Sequence, residues 1–128
     1  MRWTSLVILT FVAAPALASH DLYTGHSLSG GSNEETICII TNLNTKPVEV
    51  TAEILDSFDS SVVPGQVDVC PAPPATLAAG HSCSTNLTKF VQDEIVYCHF
   101  TTSSSKVRAS LLQVTSTFET RVSLPATK

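Results

Sequence analysis

Gly25-His26-Ser27-Leu28-Ser29 sets a serine beside a histidine in a frame close to the G-x-S-x-G nucleophile elbow. The fifth residue is serine, however, no strand pattern precedes the segment, and Gly30-Gly31-Ser32-Asn33 carries no helix signal after it. An elbow needs both elements to hold the serine on a strained turn over oxyanion donors, so the segment reads as a polar loop. The histidines His20, His26, His81 and His99 are dispersed. Copper is the metal they could serve. Were His20 the first residue after removal of a leader, its amine and imidazole would chelate Cu(II) together, and His26 or His99 could complete a tetragonal set. No histidine- or methionine-rich stretch supports that alternative. Glu34-Glu35 and Asp93-Glu94 are adjacent pairs, and neighbours on a strand point to opposite faces, so neither makes an acid–base dyad. There is no D-x-D-x-D-G calcium series. The chain is expected to have no enzymatic activity and no cofactor.

Cys38, Cys70, Cys83 and Cys98 are the other reactive set. Structural zinc takes close C-x₂₋₄-C pairs, and these four are wide and uneven in spacing, which points to two disulfides. Three pairings exist. Cys38 and Cys98 both fall mid-strand on an apolar face, which places both thiols between facing strands. Their spacing is similar to that of the inter-sheet bridge of immunoglobulin-like domains. Cys70 and Cys83 flank the proline loop Cys70-Pro71-Ala72-Pro73-Pro74 and would staple it. The expected pairs are therefore Cys38–Cys98 and Cys70–Cys83.

The elements that position these residues follow from period-2 alternation. In Thr36 to Glu53, two β-rich runs flank the turn Asn42-Leu43-Asn44-Thr45-Lys46-Pro47. Val48, Val50, Ala52 and Ile54 fall on one face, and Glu49, Thr51 and Glu53 on the other. Thr36 to Thr41 is apolar on both faces, so its outer pair, Ile37 and Ile39, is the candidate partner surface unless another segment covers it. Val62-Val63, Val67 to Val69 and a run broken at Gly80 supply further short strands. Residues 86–96 also fit one helical turn. Ile95 to Thr102 alternates with Val96, Cys98 and Phe100 on one face. Lys106 to Thr115 switches face near Leu112 to Val114, which predicts a bulge. Phe118, Thr120, Val122 and Leu124 close the series, either extending that strand or forming another. Short strands with frequent turns suggest a β-sandwich or barrel, and the spacing of Cys38 and Cys98 turns the expectation to an all-β, immunoglobulin-like antiparallel β-sandwich of about seven strands with an inter-sheet disulfide.

At the N-terminus, Arg2, the apolar run Leu6 to Ala14 and Ala16-Leu17-Ala18 read as a secretory signal peptide over 1–18. Residues 19–35 read as a flexible arm or weak first strand, and 36–124 as the sandwich. The chain has 128 residues and a net charge of −4, which becomes −5 without Arg2. Its basic residues form no cluster, which argues against nucleic acid and anionic membrane as partners. No stretch after the leader is long enough to insert in a bilayer. A protein partner is expected, with self-association through edge strands as one form of it.

The pattern Cys38-x-x-Thr41-Asn42, Pro47-Val48-x-Val50, Thr76-Leu77-Ala78-x-Gly80-His81-Ser82, Tyr97-Cys98-x-Phe100 and Val107-Arg108-Ala109-Ser110-Leu111 resembles small exported proteins of proteobacteria that are similar to immunoglobulin-like sandwiches. The resemblance spans Ile37 to Val114 and implies the fold and a periplasmic or secreted location. It carries over no catalytic residue. The chain departs from true immunoglobulin domains in having no core tryptophan, Trp3 being in the leader, and in having Val96 where a tyrosine would precede the second cysteine by two.

Overall fold

The computed structural model describes residues 18–28, 34–87, 95–115, 117 and 119–128. All but the last residue of the expected leader, the Gly30–Asn33 loop, Phe118 and most of the 86–96 helical reading lie outside them. Among the described residues there are nine strands and no helix. They are β1 (His20–Thr24), β2 (Ser27–Leu28), β3 (Glu34–Asn42), β4 (Val50–Asp56), β5 (Val67–Asp68), β6 (Ser82–Leu87), β7 (Ile95–Thr102), β8 (Val107–Thr115) and β9 (Thr120–Thr127).

Every pairing is antiparallel. β4 takes one edge of β7, while β1 and β2 lie end to end along the other, because they pair with different stretches of it. β1 passes the sheet on to β9 through Tyr23↔Thr127 and Thr24↔Ala126, and the order continues β9-β8-β3-β6-β5. The result is one sheet curled into an open half-barrel. This corrects the expected count of about seven strands. β2 and β5 are two residues long, too short for any alternation to register, and β1 sits in a polar stretch. The β structure also runs beyond 36–124, from His20 to Thr127. Register shifts between Gln113 and Val114, at the expected bulge.

The core is the concave side. Val48, Val50, Ala52 and Ile54 are at most 3% exposed, and they meet Cys38, Ile40, Leu87, Val96, Phe100 and Leu111. Cys38 of β3 and Cys98 of β7 are bonded across this interior although their strands are not neighbours in the sheet. Their Cα atoms are 5.7 Å apart, and both residues are fully buried. Cys70–Cys83 ties the loop after β5 to β6, and no cysteine is free. Two such bridges fit an oxidising, non-cytoplasmic compartment.

Three polar side chains finish what the strands leave open. The mouth of the half-barrel lies between β4 and β6, where the edge of β4 away from β7 meets no named strand and only the 61–63 segment, through the Leu55↔Val62 bridge. There the Gln66 amide stands in for a missing strand. Its Oε1 accepts from Ile54 N–H at 2.9 Å, and its Nε2 donates to the carbonyls of Ile54 and Val63 at 2.6 and 2.7 Å. Thr85 Oγ1 reaches over from β6 to donate to the Ala52 carbonyl at 2.7 Å. At one end, fully buried Asn42 donates to the carbonyls of Lys46 and Leu77 and accepts from Asn44 N–H, and its own carbonyl accepts from Gly80 N–H. Gly80 takes a φ of +74°, which glycine reaches without a Cβ penalty. A buried amide costs little when each of its groups is bonded in this way.

Candidate functional site

With the concave side closed on its core, chemistry on offer to another molecule lies on the convex side. β7 sets it out over the β4–β7–β1 half. Its inner residues Val96, Cys98, Phe100 and Thr102 are buried, so Ile95, Tyr97, His99 and Thr101 face outward. Cross-strand register extends each into a row. Thr51, Thr101 and Asp21 form one row, and Glu53, His99 and Tyr23 the next. Val62, Leu55 and Tyr97 form a third through the Leu55↔Val62 bridge, and Ile95 pairs with Leu28 at the end.

His99 is the hub. Its Nε2 lies 3.0 Å from Asp21 Oδ1 on β1, and its Nδ1 lies 3.6 Å from Glu53 Oε2 on β4. Thr101 Oγ1 also donates to Asp21 Oδ1 at 3.2 Å. The hydrogen bond from His99, and then that from Thr101, holds the Asp21 carboxyl below its ordinary range. The Tyr23 ring stacks on His99 with centroids 4.8 Å apart and planes 13° apart. Tyr97 sits 6.4 Å from Tyr23 and takes the edge of His26 at 5.1 Å. Its hydroxyl donates to Ser60 Oγ at 3.0 Å, which ties the turn after β4 to the same face. That turn is itself braced: Asp56 Oδ1 accepts from Phe58 N–H and Asp59 Oδ1 from Ser61 N–H. The Ser61 bonds hold the Asp59 carboxyl below its usual range. Phe58 is presented at the tip, 82% exposed.

The expected site residues are distributed differently. His26 and His99 share this face, whereas His20 falls on the side of Leu22 and Thr24, opposite Asp21 and Tyr23. No group of three His, Cys, Asp or Glu is placed to hold a metal among the described residues. Ile37 and Ile39 are half-buried on the outer side of the β6–β3–β8 half, in the rows Val67–Asn86–Ile37–Leu112–Ser123 and Ser84–Ile39–Ser110–Pro125. A strand, β1, does precede the Gly25–Ser29 segment, contrary to the sequence reading. It is followed by β2 instead of a helix, so Ser27 lies in an extended pair with Val96. Glu35 accepts from Asn86 Nδ2 at 3.0 Å within the sheet, and Asp93-Glu94 lies outside the described residues. A cleft of about 100 Å³ lined by Ser19, Glu49, Thr51, Pro73 and Thr101, among others, is well below the size of a small-molecule site.

Sequence reasoning missed Asp21, Tyr23, Glu53 and Tyr97 as a group. The available signal was odd-numbered polar and aromatic residues on Tyr97-Cys98-His99 opposite a buried cysteine. The partners on β1 and β4 depend on register, which alternation leaves open. No protein-family model matches the chain, and neither a curated protein nor a solved structure matches it.

Proposed function

We propose that this chain is an exported, non-enzymatic, immunoglobulin-like binding module that meets a protein partner through the outer face of β4, β7 and β1 and the turn beside it. One observation carries the reading. Of the seven large hydrophobic side chains exposed among the described residues, Tyr23, Leu28, Phe58 and Val62 gather on or beside this face. Aromatic anchors held rigid by their neighbours lose little entropy on binding and dominate interface energetics. Tyr23 is fixed by its stack on His99 and Tyr97 by Ser60, and the backbone that presents Phe58 is braced by Asp56. The immunoglobulin-like reading is supported by a bridge joining two non-adjacent strands across the core, with β6–β3–β8 behind one cysteine and β4–β7–β1 behind the other. Export is supported by the two bridges and by the leader pattern of 1–18.

Site-specific photo-crosslinking in the producing cell tests it. p-Benzoylphenylalanine in place of Tyr23 or Phe58 is expected to give a discrete adduct, and in place of Leu112 none. Adducts formed only from Leu112 would overturn the choice of face. The intact mass of the same material is expected to lack residues 1–18 and to rise by four hydrogens on reduction of its two bridges.

A further inference from the structure

Among the described residues the face has charge of one sign. β1, β2, β4, β7 and the 57–66 turn carry Asp21, Glu53, Asp56 and Asp59 and no lysine or arginine. The two arginines borne on strands, Arg108 and Arg121, are on β8 and β9. Neither central carboxylate is used up by His99. Asp21 gives Oδ1 alone to His99 and Thr101, and Glu53 gives Oε2 alone to His99. Among the described residues each therefore keeps a second oxygen for another donor, and the two side chains are 52% and 45% exposed. His99 stands between them, with the Tyr23 ring stacked on it and Tyr97 on the neighbouring row, and tyrosine faces attract cations through the ring quadrupole. A guanidinium is planar, stacks on such rings and forks onto carboxylates, so it satisfies both features at once.

Building on the binding reading above, we propose that the occupant of this face is a basic polypeptide segment. Its arginine or lysine lies over Tyr23 or Tyr97 within reach of Asp21 and Glu53, and an apolar residue covers Phe58 and Val62. Polypeptide is favoured over a small amine because the exposed apolar side chains run on past the carboxylates, from Tyr23 to Leu28 and Val62, and a lone ammonium would leave them in water. Acidic residues at the centre and in the turn disfavour phosphate-bearing ligands.

The test uses random twelve-residue peptides displayed on phage, panned on the exported chain with both bridges intact. Enriched peptides are expected to combine arginine or lysine with an apolar residue. A synthetic copy of the most enriched one is expected to lose about tenfold or more in affinity to the double variant Asp21→Asn/Glu53→Gln. It is expected to weaken with added salt and to bind the control Ser110→Asp normally. Both substitutions in the double variant are isosteric and exposed, so folding is not at stake. Neutral or acidic peptides that depend on Phe58, or basic ones indifferent to the double variant, would overturn the basic partner and leave the face standing. Peptides lost only on Ile37→Asp would overturn the face itself. No enrichment of basic sequences over the unselected library would also overturn the proposal.

Discussion

The two outer faces of the half-barrel rest on one core and differ in almost everything else. Over β4, β7 and β1 the rows carry Asp21, Glu53, His99, Tyr23 and Tyr97, with His26 beside them, tied to one another by ring contacts, a hydrogen bond and close charge pairing. Over β6, β3 and β8 the two central rows carry serine, asparagine, isoleucine and leucine, and charge enters only in the rows flanking them, at Glu35 and Arg108. The second face is what a sheet needs in order to remain a sheet: β-branched residues at its centre and small polar ones between them. The first holds part-exposed side chains whose ring stacks and polar contacts are each worth only about 1 kcal/mol or less to the fold. Comparing them separates what sustains the fold from what is available for recognition.

The first way to break that comparison is to cut what holds the two faces back to back. Removing Cys38–Cys98 by Cys38→Ala/Cys98→Ala opens a loop of 60 residues and is expected to cost about 4 kcal/mol on the chain-entropy model. Removing Cys70–Cys83, whose loop is 13 residues, is expected to cost about 3 kcal/mol. Unfolding free energies extrapolated from urea, with the slope fitted separately for each variant because a lost crosslink lets the unfolded chain expand, measure both. Equal shifts would mean that packing, not the crosslink, joins the halves.

A smaller effect sharpens the contrast directly. Ile37→Asp puts a charge on a half-buried site between Leu112 and Asn86 and is expected to destabilise by about 2 kcal/mol without touching binding. Tyr23→Ala gives up one exposed stack on His99 and is expected to cost about 1 kcal/mol while weakening the peptide selected on the intact face. Denaturant unfolding paired with peptide titration checks the crossover. If Ile37→Asp abolished binding at intact stability, the roles of the two faces would be reversed.

These faces were unequally legible in the sequence. Alternation located Val48 to Ile54 and Val96 to Phe100 on the inner side, and with them the partnership of Cys38 and Cys98, because a half-buried strand writes its burial into every second residue. It also brought out Ile37 and Ile39, since an apolar residue on the outward phase breaks the pattern. Nothing local marked Asp21 as the partner of His99, 78 positions away. That contact exists because β1 pairs with β7 in one register, and a two-residue shift would set Tyr23 or His20 against other neighbours. Gln66 was illegible for a related reason. Its amide completes the edge of β4 from within a turn, a task that composition and period do not encode.

The smallest effect is read against pH. The hydrogen bond from His99, followed by that from Thr101, holds the folded-state pKa of Asp21 below its ordinary value of 3.8. A depressed carboxylate stabilises the fold when ionised. Its contribution is therefore full above the unfolded-state value and disappears as pH falls through the lower folded-state value. Asp21→Asn removes the titration, so wild type is expected to exceed the variant slightly in melting temperature at neutral pH and to converge on it in strong acid. Asp59, lowered by Ser61 on the turn, titrates in the same direction in both proteins and cancels in the difference. Thermal melts of the two proteins from neutral pH into that acid range measure the gap. A gap that persisted unchanged below the carboxylate range would show that asparagine perturbs packing, and that the His99–Asp21 contact has no ionic share in holding β1 to β7.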